Sequence, residues 1–225
     1  MSEAAPQVLE DDDETQVQSA SIVLKLRGLG ISDRAVLKAI ETVPRALFVP
    51  DELKHHAYSD HALPIECGQM TPAPSVVAKM TVSLDMSDRH AVLEIGTGCG
   101  YQTAILARLA RRVTTIERFR TLSKAAETRF QALGLRNISA LVGDGLRGWK
   151  RQAPFDRILV TAACAEPPVK LITQLSQNGV LIAPLVLPDR RQRLTLFQRI
   201  GKSVDTRDLG PAGFLPIVPG SAKTL

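Results

Sequence analysis

Three glycines at alternate positions, Gly96, Gly98 and Gly100, stand between two carboxylates, Glu94 before them and Glu117 after them. Glycine tolerates positive φ and carries no Cβ, so a ligand can lie directly against such a backbone. A helix opening just beyond the turn adds N–H groups aimed at the same point. Glu117 falls 21 positions after Gly96. An acidic residue at that distance can accept hydrogen bonds from both ribose hydroxyls of a nucleoside. An ion pair with Arg118 or Arg120 is its plainer role. Asp144, between Gly143 and Gly145, can receive an adenine amino group or simply shape its turn. His55, His56, His61 and His90 make no metal-ligand pattern. Cys67, Cys99 and Cys164 are widely spaced and form no C-x-x-C pair, so neither a disulfide framework nor a zinc site is expected.

These groups need a strand, a tight turn and a helix to hold them. Val92, Leu93 and Ile95 make the strand, and Tyr101 to Ala110 carries Ile105, Leu106 and Leu109 at helical spacing. Strand, glycine turn and helix form the first unit of a nucleotide-binding α/β fold. A dinucleotide fingerprint needs G-x-G-x-x-G, and Tyr101 stands where its third glycine would be. The pattern present is E-x-G-x-G-x-G, which resembles motif I of S-adenosylmethionine-dependent methyltransferases. That ligand has no pyrophosphate and does not require the third close approach.

The 225 residues suit one domain with a full core. No apolar run approaches a membrane span, and the N-terminus shows no signal pattern, so a reducing cytoplasm is the expected home. The net charge is +5, but six acidic residues fall within the first 14, leaving an excess of eleven positive charges beyond them. Those basic residues are dispersed and read as a solvated surface rather than a nucleic-acid face.

Residues 1–16 read as a disordered acidic tail and 17–225 as one domain. Within it, 17–90 supply N-terminal helices and a loop-rich segment, and 91–225 an α/β core. Val17 to Leu26 and Asp33 to Val43 are expected helices, the second capped by Ser32. Arg45 to Pro74 is expected to be largely irregular, a length that in compact domains usually carries function. A helix follows from Ser75 to Leu84. Strands are expected at Val113–Ile116, Ile138–Val142, Arg157–Thr161 and Val180–Val186, with an exposed one at Arg193–Ile200. Helices are expected at Arg120–Leu133 and Val169–Leu175. Alternating strands and helices imply a doubly wound, mainly parallel sheet, whose ligands sit at the C-terminal strand ends. The glycine turn, Glu117, Asp144 and Thr161 all fall there.

Several motifs together resemble the protein-L-isoaspartate O-methyltransferase family over roughly Val17 to Val218. They are Val43-Pro44-Arg45 with Phe48-Val49-Pro50, Ala62-Leu63-Pro64-Ile65, Val92 to Ala107, Gly143-Asp144-Gly145, Pro154-Phe155-Asp156, Val160-Thr161-Ala162-Ala163 and Gly179-Val180-Leu181. The resemblance implies a Rossmann-like methyltransferase fold with an N-terminal helical addition. It implies S-adenosyl-L-methionine as cofactor, held by Glu94, Gly96, Thr97, Gly98, Gly100, Tyr101, Glu117, Arg118, Gly143, Asp144, Gly145 and Thr161. It implies methylation of the abnormal carboxylate of isoaspartyl residues in damaged proteins, by a monomer without nucleic acid, membrane or metal. A carboxylate is already anionic at neutral pH, so this chemistry asks mainly for alignment and exclusion of water.

The chain departs from the family in one window. The family's substrate loop reads Gly-Gln-Thr-Ile-Ser-x-Pro, with the Ser hydroxyl in the active site. Here the window is Gly68-Gln69-Met70-Thr71-Pro72-Ala73-Pro74. Met70 replaces the Thr, and Pro72 replaces the Ser with neither hydroxyl nor N–H. Thr71 is expected to supply the missing hydroxyl, with Ser75 as the cap of the next helix. A relative acting on another peptide or small carboxylate, or a silent cofactor-binding protein, are the competing readings.

Overall fold

The computed structural model describes residues 13–222, with side chains described from residue 17. Its N-terminal part holds α1 (Asp13–Gly28), α2 (Arg34–Thr42), a hairpin of β1 (Leu63–Ile65) and β2 (Gln69–Thr71), and α3 (Pro74–Ser83). The α/β core follows as β3 (Ala91–Ile95), α4 (Tyr101–Leu109), β4 (Arg112–Glu117), α5 (Arg120–Ala132) and β5 (Ile138–Val142). It continues through β6 (Phe155–Val160), α6 (Val169–Ile172), β7 (Leu175–Val186), β8 (Gln192–Ile200) and β9 (Ser203–Ala212).

The large sheet has seven strands in the order β5-β4-β3-β6-β7-β8-β9. The first five in that order run parallel, and β8 runs antiparallel to both its neighbours, β7 and β9. From β3 the chain first winds outward through β4 and β5, then returns to β6 on the other side. The crevice between β3 and β4 on one hand and β6 on the other is therefore the switch point where ligands bind in such sheets.

The pleat of β3 divides the core. Leu93 and Ile95 join Ile158, Val160, Leu181 and Leu171 on one face. Val92 points to the other, with Leu106 and Val113. Burying a side chain of this size is worth about 1.5–3 kcal/mol, which fixes the register on which the turn depends. Ser19, Ile22, Val23 and Leu26 form the buried face of α1.

Several expectations are corrected. The tail was expected to be disordered through residue 16, but α1 starts at Asp13; residues 1–12 lie outside the described residues. An apolar period marks which face is buried, not where backbone hydrogen bonding begins. Asp33, not Ser32, caps α2, accepting the Val36 N–H at 2.9 Å. The Arg45–Pro74 segment is ordered by the hairpin and by short 3-10 turns at Arg45–Phe48, Asp51–His56 and Glu66–Gly68. The helix at Val169 ends at Ile172, because Leu175 already begins β7. β8 is not exposed: Leu194, Leu196 and Phe197 are buried, since β9 occupies the edge beyond it. β9 was not anticipated, because its Asp205, Arg207 and Asp208 are the charged surface of an edge strand.

Candidate active site

A cavity of about 580 Å³ opens at the C-terminal ends of β3, β4 and β6. Gly96, Thr97 and Gly98 form its floor, and Glu117, Arg118, Gly145 and Thr161 line it from neighbouring strand ends. Gly96 has φ +93°, and a Cβ there would collide with Thr161 Oγ1. Thr161 closes the turn from below, its hydroxyl 2.7 Å from the Gly96 carbonyl and 2.9 Å from that of Ile95. Tyr101, at the start of α4, also lines the cavity.

Glu117 is only 5% exposed, and its carboxylate is organised by backbone donors. Oε2 accepts from the Gly98 N–H at 2.9 Å and Oε1 from the Phe119 N–H at 3.0 Å. A carboxylate has room for about four such bonds, so two acceptor positions remain for a ligand's hydroxyls.

Four of the expected cofactor residues lie outside the cavity wall. The pleat turns Glu94 under α4, where Oε2 accepts from the Thr115 hydroxyl at 2.7 Å and from the Thr103 hydroxyl. Thr115 in turn shares a 2.6 Å hydrogen bond with Thr97 of the turn. Glu94 thus supports the floor from beneath. Burial pushes its carboxyl up to about 7. Gly100 lies against Phe130, which its missing Cβ lets approach. Gly143 joins β5 to the next turn, its N–H donating to the Glu117 carbonyl at 2.9 Å. Asp144 shapes that turn, accepting the Leu146 N–H at 3.0 Å.

The other end of the cavity is the altered loop. Gly68, Gln69, Met70, Thr71 and Pro72 all line it. Alternation along β2 leaves Met70 exposed and Thr71 buried. The Thr71 hydroxyl lies near the buried Cys99 thiol, while Thr71 itself lines the cavity. Ser75 does not cap α3 with its side chain; its N–H is itself capped by Asp60 Oδ1 at 2.8 Å.

Two features escaped the sequence reading. Arg45 is 1% exposed and binds four backbone carbonyls, including that of Pro72 at 2.9 Å. Its signal was a cation inside the apolar run Val43 to Val49. The second is the C-terminal strap, where Gly213 to Val218 form one wall of the cavity. It is held by Ala163 N–H to the Leu215 carbonyl at 2.8 Å, Ile217 N–H to the Ala163 carbonyl at 2.9 Å and Phe214 N–H to Gln192 Oε1 at 2.8 Å. No sequence motif announced it, because the groups the strap itself contributes to these bonds are backbone.

No group of three or more His, Cys, Asp or Glu among the described residues is placed to hold a metal. None of their helices is long and apolar enough to cross a membrane.

The family model for protein-L-isoaspartate(D-aspartate) O-methyltransferase matches residues 17–222. A protein-L-isoaspartate O-methyltransferase of Azorhizobium caulinodans is 49% identical, the match covering 96% of this chain and 99% of the relative. One from Rhodospirillum centenum is 50% identical over 92% and 95% of the two chains. Among solved structures, a protein-L-isoaspartate O-methyltransferase superposes with a TM-score of 0.79 at 27% identity, over 88% of this chain and 65% of that one. A Plasmodium falciparum protein solved with S-adenosyl-L-homocysteine shares the fold, with a TM-score of 0.77 at 22% identity over 88% and 97% of the chains. The glycine-floored crevice and its loop thus sit in a chain that belongs to the protein-L-isoaspartate(D-aspartate) O-methyltransferase family.

Proposed function

We propose that this chain transfers a methyl group from S-adenosyl-L-methionine to the abnormal carboxylate of isoaspartyl residues in damaged proteins, as a first step of repair. One observation carries the reading: the glycine floor with Glu117 and the Gly68–Pro72 loop face a single cavity. Cofactor and acceptor can therefore meet within it. The family likeness over nearly the whole chain supports the same assignment.

The residues fit a nucleoside carrying a short charged arm. Gly96 and Gly98 leave room for it on the backbone, Glu117 keeps two acceptor positions for ribose, and Gly145, Ile116 and Thr161 flank the base end. Arg118 and Thr97 stand at the polar side of the floor. When bound, the cofactor supplies a methyl group already activated by a positive sulfur. The protein's part is to bind, orient and keep water out. Ile217, Leu215 and Phe214 of the strap do the last. In the ester so formed the backbone amide nitrogen attacks the acyl carbon, methanol leaves with the amide proton, and this ring closure needs no help from the enzyme.

The reading brings with it damaged proteins or peptides as partners, a monomer, and a cytoplasmic setting without nucleic acid. Cofactor-dependent methylation of an isoaspartyl peptide, measured beside its aspartyl twin, tests it. Equal rates on both peptides, or none on either, would overturn it. Pro72 at the position of the family's Ser favours one alternative, a different carboxylate acceptor, and methylation of small carboxylic acids in place of the peptide would mark that case.

A further inference from the structure

Gln102 stands in the first turn of α4 and lines the cavity, although it is only 6% exposed. Its Nε2 donates to the buried Thr81 hydroxyl of α3 at 3.0 Å, and that hydroxyl donates to the Val77 carbonyl at 2.8 Å. A hydroxyl has one proton. Thr81 gives it to Val77 and can only accept from Gln102. The amide must therefore turn its NH2 to Thr81, which settles the placement of its oxygen. Among the described residues none donates to that Oε1, yet the atom is not sealed from the accessible surface. The opening that Gln102 lines is the cavity, so an unpartnered carbonyl oxygen is presented there on a side chain that is otherwise buried and tethered.

The tether places Gln102 with the acceptor side. Thr81 belongs to α3, which the altered loop enters at Pro74. The same N-terminal part of the chain supplies the Gly68–Pro72 wall. The nucleoside side is built instead from Glu117, Arg118 and Gly145, at strand ends of the core. A carbonyl oxygen repels a carboxylate and accepts an N–H. Isoaspartate and aspartate differ in where that N–H stands. In an isoaspartyl residue the backbone nitrogen is bonded to the carbon that bears the free carboxylate. In an aspartyl residue it is bonded one carbon further away. An acceptor fixed beside the seat of the carboxylate measures this difference.

We propose that Gln102 Oε1 accepts the backbone N–H of the isoaspartyl residue and so selects isoaspartyl over aspartyl chains. Thr81 is a positioning residue that holds the amide in this orientation. Neither residue exchanges a proton. The role rests on the function proposed above and adds the group that reads the substrate.

An isoaspartyl peptide and its depsipeptide analogue, with oxygen in place of that N–H, test the pairing. Wild type should methylate the analogue with kcat/KM about three- to tenfold lower, as for the loss of one neutral hydrogen bond. Gln102→Met keeps an unbranched side chain of similar length and removes the oxygen. It should lose about the same factor on the peptide and treat the two substrates alike, because both changes delete one bond. Its preference for the isoaspartyl peptide over the aspartyl twin should narrow as well, with the Kd for S-adenosylhomocysteine unchanged.

Equal rates on the two substrates in wild type overturn the proposal, whatever the variants do. A Gln102→Met enzyme that keeps the full difference between them also overturns it, and a weakened Kd for S-adenosylhomocysteine in that enzyme would assign the oxygen to the cofactor. Thr81→Val keeps the oxygen and removes its tether, so the difference should shrink; this variant decides the matter if Gln102→Met fails to fold, and an undiminished difference counts against the role. A wild type that methylates neither substrate overturns the underlying function and this role together.

Discussion

Glu117 Oε2 accepts the N–H of Gly98, 19 residues earlier, at 2.9 Å. The carboxylate at the end of β4 and the turn after β3 are thus one unit, assembled before any ligand arrives. Glu117→Ala should weaken S-adenosylhomocysteine binding by about 1.5–3 kcal/mol, or roughly ten- to a hundredfold. Gly98→Val should do at least as much, because φ +54° is strained for a branched side chain. Isothermal calorimetry reads both; unchanged affinity in the two variants would place the cofactor elsewhere.

Restoring the family's loop should raise the rate. Met70→Thr with Pro72→Ser puts a hydroxyl back at the cavity wall, and isoaspartyl methylation should rise at least about tenfold. Thr71→Val, whose lost hydroxyl lies near Cys99, should change the rate by less than about threefold, a difference of under about 0.7 kcal/mol. Steady-state rates on one peptide compare all three. A large loss in Thr71→Val alone would return the donor role to Thr71.

Glu94 links stability to pH. Burial pushes its carboxyl up to about 7, against about 4.3 in an unfolded chain. The folded state therefore holds this proton more tightly. The stabilisation is full below about pH 4.3 and is lost as pH rises through about 7. Glu94→Gln is neutral throughout, so its melting temperature should gain on wild type across that window and level off above it. At about 1.4 kcal/mol per pH unit, the ceiling is about 4 kcal/mol. A constant difference across the window would mean that Glu94 ionises as an exposed acid does.

Removal of residues 1–12 should leave melting temperature and turnover near wild type. The buried residues of α1 begin at Ser19, and the backbone turn at Asp13 remains. Removal through Gln16 cuts the first turn of α1 and should cost more. Thermal melts of the two truncations separate the cases.

The sequence announced what rests on side-chain type and period. The glycine turn, Glu117 and Thr161 fell where alternating strands and helices put them, because hydrophobic period and glycine spacing are local signals. Glu94 was placed in the wall because spacing alone does not reveal which face of β3 it takes. The parts played by Arg45 and the strap were hidden for another reason. Both act through backbone carbonyls and N–H groups contributed by distant segments, and any residue type carries those. β9 hid behind its charges, as edge strands do.

The strap lies after the last strand. A nascent chain released as far as Ala212 holds all seven strands of the sheet, yet the wall from Gly213 to Val218 and the Ala222 bond to the Arg118 carbonyl are still to come. During translation, the sheet can therefore assemble before the nucleoside pocket exists. The outer wall of the pocket is thus added to a finished scaffold, and a chain stopped at Ala212 would keep the glycine floor and Glu117 yet hold a nucleoside more weakly for want of one side.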